Sequence, residues 1–546
     1  MNKRFGMQIL FWLLASMLAM SSAFAQTTSS GMAGRVTDAA GNPVAGATVR
    51  IVHVPSGTAS VTTTDANGRY IAQGLRVGGP YHVEATGNSI KEIDVDNVYI
   101  ELGQVATANL AAAASAATRL ENVTVTASAL DAQFNADNKG LGTSISGRAL
   151  ETSISGNRSL DDIARLDPRI TVTDQNDGSI SLAGQNNRYN NISVDGLSVT
   201  DPFGLNANGL GFTGSPISPD TIAAYEIKAT DYDTAFDSVG ANINAVTKSG
   251  TNEFHGSVYG AYTDGSSMIG ESRAGSNYTG FDQNKTYGLT VGGPIIKDKL
   301  FFFAGYEDQK VTGIQGVGTD AVSTGDLTQA QVDAVAQAFK SIGIDPGTNG
   351  GGGAGLTQED KRSLAKLDWN ISDSQRASLT YQRTEESKPT PYSSYVKASS
   401  VILSSNFYTS ASKTNNYSFQ LFSDWTDNFS TEFKLGYQKY DNTNGAAENQ
   451  PEVYACFTAS ASSCPNYAGS IPSNVDWVIA GEDRYRHENS INSKRLNGTL
   501  AGTWHMGDHV IKGGFDYLSN ETADVFGQLL HGSYGFYDKN GNGTPA

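Results

Sequence analysis

The second half of the chain alternates apolar and polar residues with a period of two. From Phe254 to Tyr262 every second residue is apolar or small. Residues 429–438 show two distinct faces, one made of Phe429, Phe433, Leu435 and Tyr437 and the other of Ser430, Glu432, Lys434, Gly436 and Gln438. Successive side chains of a β-strand point to opposite sides, so the pattern predicts strands with one apolar face. A lipid-embedded barrel wall and a soluble sandwich both alternate in this way.

The lengths of the connections between these strands favour the barrel. Short links ("GPIIKDK", "NISDSQ", "TDNFS", "HMGDH") alternate with long glycine- and serine-rich stretches near residues 310–360, 386–412 and 442–490. Transmembrane barrels have short turns at one end and long loops at the other. A transmembrane barrel has girdles of aromatic residues at both membrane interfaces. Aromatic residues near the strand ends are expected in these girdles, namely Phe301–Phe303, Trp425, Tyr437, Tyr440 and Trp504. We therefore predict that residues 251–546 form an antiparallel transmembrane β-barrel wall.

This predicted barrel is incomplete. Nine strands can be placed in the sequence, whereas plugged transporter barrels have about 22. An open sheet would expose unpaired strand edges to hydrocarbon, at several kcal/mol for each unsatisfied group. We expect a chain that is truncated at its C-terminal side, the alternative being a short product that pairs with another protein.

Residues 26–112 form a separate unit of short strands. Alternating segments contain Val49, Ile51 and His53, then Tyr70 and Ala72, then Tyr81, Val83 and Ala85. Turn signals such as Gly41-Asn42-Pro43 and Asn67-Gly68 separate them, which predicts about seven strands in a small β-sandwich. The motif from "GRVTDAAGNPVAGATV" to "TDANGRY" resembles the carboxypeptidase regulatory-like domain, a transthyretin- or Ig-like sandwich of the carbohydrate-binding-like fold. The resemblance implies a fold and carries over no catalytic residue.

Residues 113–128 connect this sandwich to the next unit. "LAAAASAATRL" (Leu110–Leu120) has the composition of a flexible tether. A short β-prone segment follows, made of Glu121, Asn122, Val123, Thr124, Val125, Thr126 and Ala127. It is either the first strand of the next domain or an exposed strand that adds to the sheet edge of a partner.

Residues 129–250 predict a mixed α/β unit. "RSLDDIARLDPRI" begins like a helix with Ser159 as its N-cap and Asp161 and Asp162 in its first turn. Strands are expected at "SISLAG", "NNISVDGLSV" and "AYEIKAT".

Several motifs together resemble TonB-dependent outer-membrane receptors. "SISLAGQNNRYNNISVDGLSVTD" resembles their plug domain, "VGANINAVTKSGTNEFHGSVYG" the junction of plug and barrel, and "VGGPIIKDKLFFFAGYED" the Oar-like, OmpA-related subgroup. The resemblance implies that Glu121–Ala127 is the TonB box, which the inner-membrane TonB complex captures to displace the plug. The expected fold is thus mainly β, comprising the sandwich, a mixed α/β plug and the incomplete barrel.

The N-terminus and the cysteines indicate export. Lys3 and Arg4 precede an apolar run, and "AFA" predicts signal cleavage between Ala25 and Gln26. In the oxidising space beyond the inner membrane, Cys456 and Cys464 are expected to form a disulfide in one loop. The net charge of −17 argues against a nucleic-acid partner.

Few residues offer site chemistry. His505 and His509 have zinc-like spacing but lie in a tight turn without the glutamate of a zinc helix. Asp538, Asn540 and Asn542 match the opening of a calcium loop, although an ordinary Asn-Gly turn explains them as well. The amide-rich stretch containing Gln185, Asn186, Asn187, Arg188 and Tyr189 could face an external ligand or solvate itself. We therefore expect no catalytic residue, no cofactor and no resident metal.

Two functions remain open on the sequence. The first is energy-coupled import of an external siderophore, oligosaccharide or peptide by a receptor in the outer-membrane lipid, with the sandwich and Glu121–Ala127 in the periplasm. The second is a surface adhesin or matrix-binding protein that uses the long loops and the sandwich without transport.

Overall fold

The computed structural model describes most of the chain in segments. These are residues 28, 30–87, 90–112, 142–153, 158–174, 178–201, 203–204, 206, 208–229, 240–267, 280–314, 327–348, 356–390, 400–445, 449–457, 476–507 and 509–537. Among them, no helix is both long enough and apolar enough to cross a membrane.

The N-terminal sandwich consists of two packed sheets. Its strands are β1 (Ser30–Thr37), β2 (Thr48–His53), β3 (Thr58–Thr63), β4 (Arg69–Leu75), β5 (Gly78–Gly87), β6 (Ile90–Ile100), β7 (Val105–Thr107) and β8 (Leu110–Ala111). One sheet has the order β4-β1-β7, with β8 also paired to β1, and the other has the order β3-β2-β5-β6. The alternating residues predicted from the sequence are all buried between the sheets, from Val49 to Ala85.

The predicted tether begins too early. Leu110 and Ala111 form β8 and pair in parallel with Val36 and Thr37. Leu110 is fully buried in the sandwich core. The alanine-rich stretch Leu110–Leu120 has the composition of a linker. Its first two residues nevertheless complete a sheet, because β1 has a free edge on that side.

The unit predicted to be the plug, residues 129–250, is called the plug unit below and contains seven strands and two short helices in its described part. These are β9 (Gly142–Ser146), α1 (Gly147–Glu151), α2 (Leu160–Ala164), β10 (Ile170–Asp174), β11 (Ser179–Leu182), β12 (Asn191–Val194), β13 (Leu197–Ser198), β14 (Ile222–Lys228) and β15 (Asn242–Thr247). Its main sheet has the order β13-β12-β15-β14-β9. Helix α2 begins after Ser159 as predicted, but the Ser159 side chain makes no capping hydrogen bond.

The barrel sheet is a continuous nine-stranded antiparallel meander. Its strands are β16 (His255–Asp264), β17 (Gln283–Ile296), β18 (Leu300–Ile314), β19 (Leu356–Ser372), β20 (Gln375–Thr390), β22 (Tyr408–Thr426), β23 (Phe429–Gly445), β26 (Glu488–Met506) and β27 (His509–Gly527). The predicted parity of its connections is confirmed. Tight turns follow β17, β19, β22 and β26, and long segments follow β16, β18, β20 and β23. We call the two ends of this sheet the turn end and the loop end.

The two faces of the barrel sheet are inverted relative to a soluble protein. The inner face buries polar side chains, among them Glu307, Asp360, Arg362, Lys366, Gln382, Glu386, Asn416, Gln420, Lys434 and Gln438. The outer face exposes apolar ones, among them Tyr287, Leu289, Leu367, Leu379, Tyr417, Leu435, Tyr437, Leu496 and Leu500. This is the arrangement of a barrel wall with lipid outside and a polar lumen inside.

Three of the aromatic residues predicted for the interfacial girdle point inward instead. Trp425 and Trp504 are exposed on the outer face near the turn end, as expected. Phe301, Phe303 and Tyr440 are buried on the inner face, and Phe303 packs against the core of the plug unit. They occupy inward positions of the pleat, where Phe301 lies beneath the guanidinium of Arg76 and Tyr440 donates a hydrogen bond to the carbonyl of Gly211.

The long segments at the loop end carry secondary structure that their composition did not predict. Strands β21 (Ser400–Ile402), β24 (Glu452–Cys456), β25 (Trp477–Ala480) and β28 (Ser533–Tyr537) form a sheet with the order β21-β25-β24-β28, here called the loop sheet. Helix α3 (Gln329–Ser341) packs against it through Val332, Val335 and Phe339. A capping box between Thr328 and Gln331 starts this helix.

A pH-dependent contribution to stability is predicted at His53 in the sandwich. Burial, assisted by the positive charge of Arg76, lowers the pKa of His53 to about 3. The unfolded chain takes up this proton near pH 6.5, so unfolding binds a proton below that pH. The free energy of unfolding of the sandwich therefore falls by up to about 1.4 kcal/mol per pH unit as the pH drops from 6.5 toward 3.

His53→Gln removes this ionisable group, so we expect the variant to lose stability less steeply with falling pH than the wild type. Hydrogen exchange of the β2 and β5 amides at pH 7 and pH 5, resolved by mass spectrometry, measures the difference. Equal pH dependence in the two proteins would show that His53 does not contribute in this way.

Candidate functional site

The most extensive polar interface in the described chain joins the plug unit to the inner face of the barrel sheet. On the plug side it is dominated by residues 213–220, "TGSPISPD", which we call the anchor segment. Nearly every residue of this segment contributes a backbone or side-chain group to a barrel strand or to Arg158. The interface is therefore built from hydrogen bonds and ion pairs, supplemented by a few apolar contacts.

Glu307 on β18 is the centre of this interface. Its side chain has no exposed surface, and its carboxylate accepts hydrogen bonds from Ser218 Oγ at 2.8 Å, Tyr259 Oη at 2.8 Å and Arg362 Nη1 at 2.6 Å. Arg158 of the plug also donates to it from Nε at 3.1 Å. A buried carboxylate is stable only when charges and donors satisfy it, and here they come from both the plug and the barrel.

Arg158 links two acidic groups across the interface. Its guanidinium pairs with Glu307 of the barrel and with Asp220 of the anchor segment, and it lies over the ring of Tyr259 with 4.8 Å to the ring centroid. Burial alone would lower the pKa of Arg158, but the two carboxylates outweigh it and raise that pKa above its usual value. The guanidinium is therefore a permanent positive charge between plug and wall.

A second polar contact lies closer to the turn end, at Asp195. The Asp195-Gly196 pair joins β12 to β13 with positive φ at both residues, 47° and 75°, as a two-residue hairpin turn requires. The turn directs the Asp195 carboxylate to the side chain of Thr247 at 2.6 Å and to Lys366 at 3.8 Å. Gln420 of the barrel donates to the Asp195 carbonyl at 2.7 Å.

A third contact holds the first residues of the anchor segment. The Glu386 carboxylate on β20 accepts hydrogen bonds from the backbone N–H of Thr213 at 2.9 Å and of Gly214 at 3.2 Å. Further along, the carbonyl of Pro216 accepts from Gln382 Nε2 at 2.6 Å. A carboxylate of the barrel thus binds backbone N–H groups of the anchor segment. These hydrogen bonds form only when the backbone at Thr213 and Gly214 has the observed conformation.

The amide-rich residues predicted from the sequence lie together in one exposed turn. Asn187–Tyr189 form a 3-10 turn, and the side chain of Asn186 accepts a hydrogen bond from Arg188 N at 3.0 Å. Tyr189 is 59% exposed. Since β12 runs from this turn to Asp195, which meets the barrel near the turn end, the turn lies at the opposite edge of the plug sheet, on the side of the loop end.

Several of the site residues predicted from the sequence lie outside the part of the chain that the structure describes. These are the signal cleavage site Ala25–Gln26, the segment Glu121–Ala127, Cys464, and the weak calcium candidates Asp538, Asn540 and Asn542. Cys456 is disulfide-bonded. His505 and His509 lie on adjacent strands at the turn end, where His505 Nε2 contacts Gln73 Nε2 of the sandwich at 3.1 Å.

The N-terminal sandwich contacts the turn end of the barrel sheet. Arg376 at the start of β20 donates to the carbonyls of Gln73 at 2.8 Å and Gly74 at 3.2 Å. Thr63 donates to Asp427 in the next turn along the sheet. Phe422, the one residue that interrupts the polar face of β22, lies against Gly74, where an added Cβ would approach it to 3.1 Å. Phe422 can therefore be apolar on an otherwise polar face because it packs against the sandwich at Gly74.

A cavity of about 440 Å³ lies where sandwich, plug and barrel meet. Its lining includes Arg76, Asp195, Lys248, Lys366 and Arg376. The turn end is thus covered by the sandwich without being filled.

Sequence reasoning did not identify the anchor segment or its barrel partners. One signal was present, because Glu307, Arg362, Lys366 and Glu386 occupy inward positions of their strands, where the alternation places polar residues. No local pattern shows which plug residue an inward charge will contact. Ser215 and Arg362 are 147 positions apart, and Thr213 and Glu386 are 173 positions apart.

Two family models match the chain. The outer membrane beta barrel domain matches residues 246–546, and the carboxypeptidase regulatory-like domain matches residues 31–113. The chain is also 41% identical over 160 residues to the TonB-dependent transporter Oar of Myxococcus xanthus, a match that covers 27% of this chain and 14% of that protein. The chain therefore matches only a small part of that relative's length.

The matches to solved structures span about half of each matched chain. The siderophore receptor PirA from Acinetobacter baumannii has 16% identity and a TM-score of 0.46, covering 69% of this chain and 48% of that one. The outer membrane transporter YddB from Escherichia coli has 14% identity and a TM-score of 0.49, covering 72% and 50% respectively.

The buried charges predict that the plug depends on Glu307. Glu307→Gln leaves Arg158 and Arg362 without their shared carboxylate, and removing one partner of a buried ion pair typically costs about 3–5 kcal/mol. We expect faster hydrogen exchange in the β14 and β15 amides of the plug, measured by mass spectrometry on the protein in detergent micelles, while β19 and β20 keep their protection.

Glu359→Gln is the matched control, because it removes a carboxylate of β19 whose partner Lys310 is half-exposed. Such surface pairs contribute under about 1 kcal/mol, so plug exchange should stay at the wild-type rate. Equal exchange in the two variants would contradict the role assigned to Glu307.

Proposed function

The chain belongs to the outer membrane beta barrel domain family, and from this membership we propose that it is a plugged outer-membrane receptor that imports a ligand with energy coupled through TonB. The similarity to a TonB-dependent transporter over 160 residues supports the same assignment. The function proposed is transport rather than catalysis, with no cofactor.

The observation that carries the proposal is the polar character of the plug–barrel interface. Apolar contacts of the plug with the wall are few, such as Phe303 and Leu364 against the plug core. Its main contacts with the wall are ion pairs and hydrogen bonds, centred on Glu307, Asp195 and Glu386. Water can replace such contacts one at a time when a plug moves, whereas a shared apolar core would have to be exposed as a whole.

The direction of transport follows from the two ends of the barrel sheet. We infer that the loop end faces the outside and that the turn end, with the sandwich, faces the periplasm, as transmembrane barrels are usually oriented. The apolar outer face then contacts outer-membrane lipid. Trp369, Trp425 and Trp504, all exposed near the turn end, would lie at the periplasmic interface of the bilayer.

The coupling segment in this proposal is Glu121–Ala127. It lies in sequence between β8, the last strand of the sandwich, and β9, the first strand of the plug sheet, so β9 is the first described strand that a pull on it would reach. TonB would capture the segment by strand addition. Force transmitted to β9 reaches β14, its neighbour, and β14 directly follows the anchor segment.

The external ligand is proposed to meet the plug at Gln185–Tyr189. This turn presents side-chain amides, a guanidinium and a phenol on the side of the loop end. Amides can both donate and accept hydrogen bonds, which suits a siderophore, an oligosaccharide or a peptide.

Deletion of Glu121–Ala127 from the full-length protein tests the coupling. We expect it to abolish binding of the soluble C-terminal domain of TonB from the same organism, measured by surface plasmon resonance. We also expect it to abolish cellular uptake of a radiolabelled ferric siderophore, oligosaccharide or peptide, whichever binds the wild type, while binding of that probe at the cell surface is retained.

A deletion of equal length in the preceding alanine-rich stretch, residues 113–119, serves as the control and should leave TonB binding intact. Unchanged TonB binding and uptake after deletion of Glu121–Ala127 would reject coupling through this segment. Surface binding without uptake in the wild type itself would favour an adhesin.

A further inference from the structure

Three side chains with metal-ligating atoms meet at the loop end, outside the plug–barrel interface. Glu482 and His487 lie in the segment between β25 and β26, and His531 lies between β27 and β28. Their ligand atoms all lie within 4.8 Å of one another. Glu482 and His487 are buried and His531 is partly exposed, so the group is closed on the protein side and reachable from outside.

We propose that Glu482, His487 and His531 form a Zn²⁺ site that joins these two segments. Two imidazoles and one carboxylate are a ligand set that Zn²⁺ uses when a fourth position is left to water. In a tetrahedral site with bonds of about 2.0–2.1 Å, neighbouring ligand atoms lie ~3.4 Å apart.

The hydrogen bonds of His487 suit it to this role. Its Nδ1 accepts a hydrogen bond from the backbone N–H of His531 at 3.0 Å. The proton of the neutral ring is therefore on Nε2, which lies 3.3 Å from the carbonyl of Glu482 and donates to it. A metal-bound histidine commonly donates its second ring N–H to a backbone carbonyl, which fixes its orientation. An ion bound by Nδ1 would replace the hydrogen bond that this atom accepts from the His531 N–H.

His531 and Glu482 supply the remaining ligands. His531 Nδ1 lies 2.9 Å from Glu482 Oε2, and the rings of His487 and His531 stack with centroids 4.7 Å apart. A single ion between the three groups would replace the contact of His531 with the carboxylate by two metal–ligand bonds. The negative charge of Glu482 offsets part of the charge of the ion.

The surrounding structure holds the two segments in place without a metal. Arg484 donates from Nε to Glu452 on β24 at 2.6 Å, and Leu529 N donates to the carbonyl of Arg484 at 2.9 Å. Ser533 Oγ donates to the same Glu452 carboxylate at 3.0 Å. Ligands supported in this way need little reorganisation to bind an ion. The carboxylate of Glu452 pairs with Arg484 and offsets part of its positive charge near the cluster.

The site is independent of the transport proposal, because it involves neither the plug nor Glu121–Ala127. An ion here would connect the segment after β25 to the segment after β27, and so hold the loop sheet to the ends of two barrel strands. Its loss would release that connection while leaving the barrel sheet unchanged.

Zinc binding by the full chain tests the proposal. The protein is purified in detergent micelles, stripped with a chelator and titrated with Zn²⁺ alone by isothermal calorimetry. We expect one ion per chain, and at least tenfold weaker binding in His531→Ala and in Glu482→Gln. Substitution with Co²⁺ should give the visible absorption of a four-coordinate site in the wild type and lose it in both variants.

His509→Ala is the control, since this exposed histidine at the turn end is remote from the cluster. It should bind Zn²⁺ like the wild type. His531 is the ligand least buried, so its variant should keep the fold, and far-UV circular dichroism checks this. No saturable Zn²⁺ binding, or equal affinity in the wild type and the two ligand variants, would overturn the site.

Discussion

The structure depends on one constraint: a charged side chain removed from water must find a partner. The inner face of the barrel sheet contains Glu307, Arg362, Lys366 and Glu386, all buried. Their partners come in large part from the plug, through Arg158, Asp195 and the anchor segment. Barrel and plug therefore fit each other specifically, because the charges that their contact removes from water are paired across it. The same constraint explains why polar residues are placed where a soluble sheet would have its core.

The sequence predicted the parts of this fold that are written as local patterns. The alternation of apolar and polar residues, for example around Leu435 and Gln438, predicted which face of a strand is apolar and which is polar. The alternation of short and long connections predicted the order of the strands in the meander. By contrast, "NNISVDGLSV" was expected to be one strand, and the structure divides it into β12 and β13 at the turn formed by Asp195 and Gly196. The predictions from alternation and from connection length succeeded because strand geometry acts between residues close in sequence.

The sequence was less informative where position depends on distant contacts. Phe301 and Tyr440 are aromatic residues near strand ends, as in an interfacial girdle. The pleat nevertheless directs them inward, where they contact Arg76 and the plug. Leu110 belongs to an alanine-rich stretch but completes a sheet with β1. Helix α3 lies within a glycine-rich region and was not predicted, although Thr328 and Gln331 form a capping box that is local in the sequence. Glu482, His487 and His531 are separated by tens of residues and meet only in the folded protein.

The central claim is that the outer face of the barrel sheet is in lipid while its inner face holds the plug. Single spin labels at each position from Phe433 to Asn442, with the protein reconstituted in liposomes, test it directly by the relaxation effects of oxygen and of a water-soluble nickel complex. The account predicts a period of two, with oxygen accessibility highest at Phe433, Leu435 and Tyr437 and both reagents largely excluded at Lys434, Gln438 and Asn442. High accessibility of both faces to the nickel complex would show that this sheet is in water and would contradict the account.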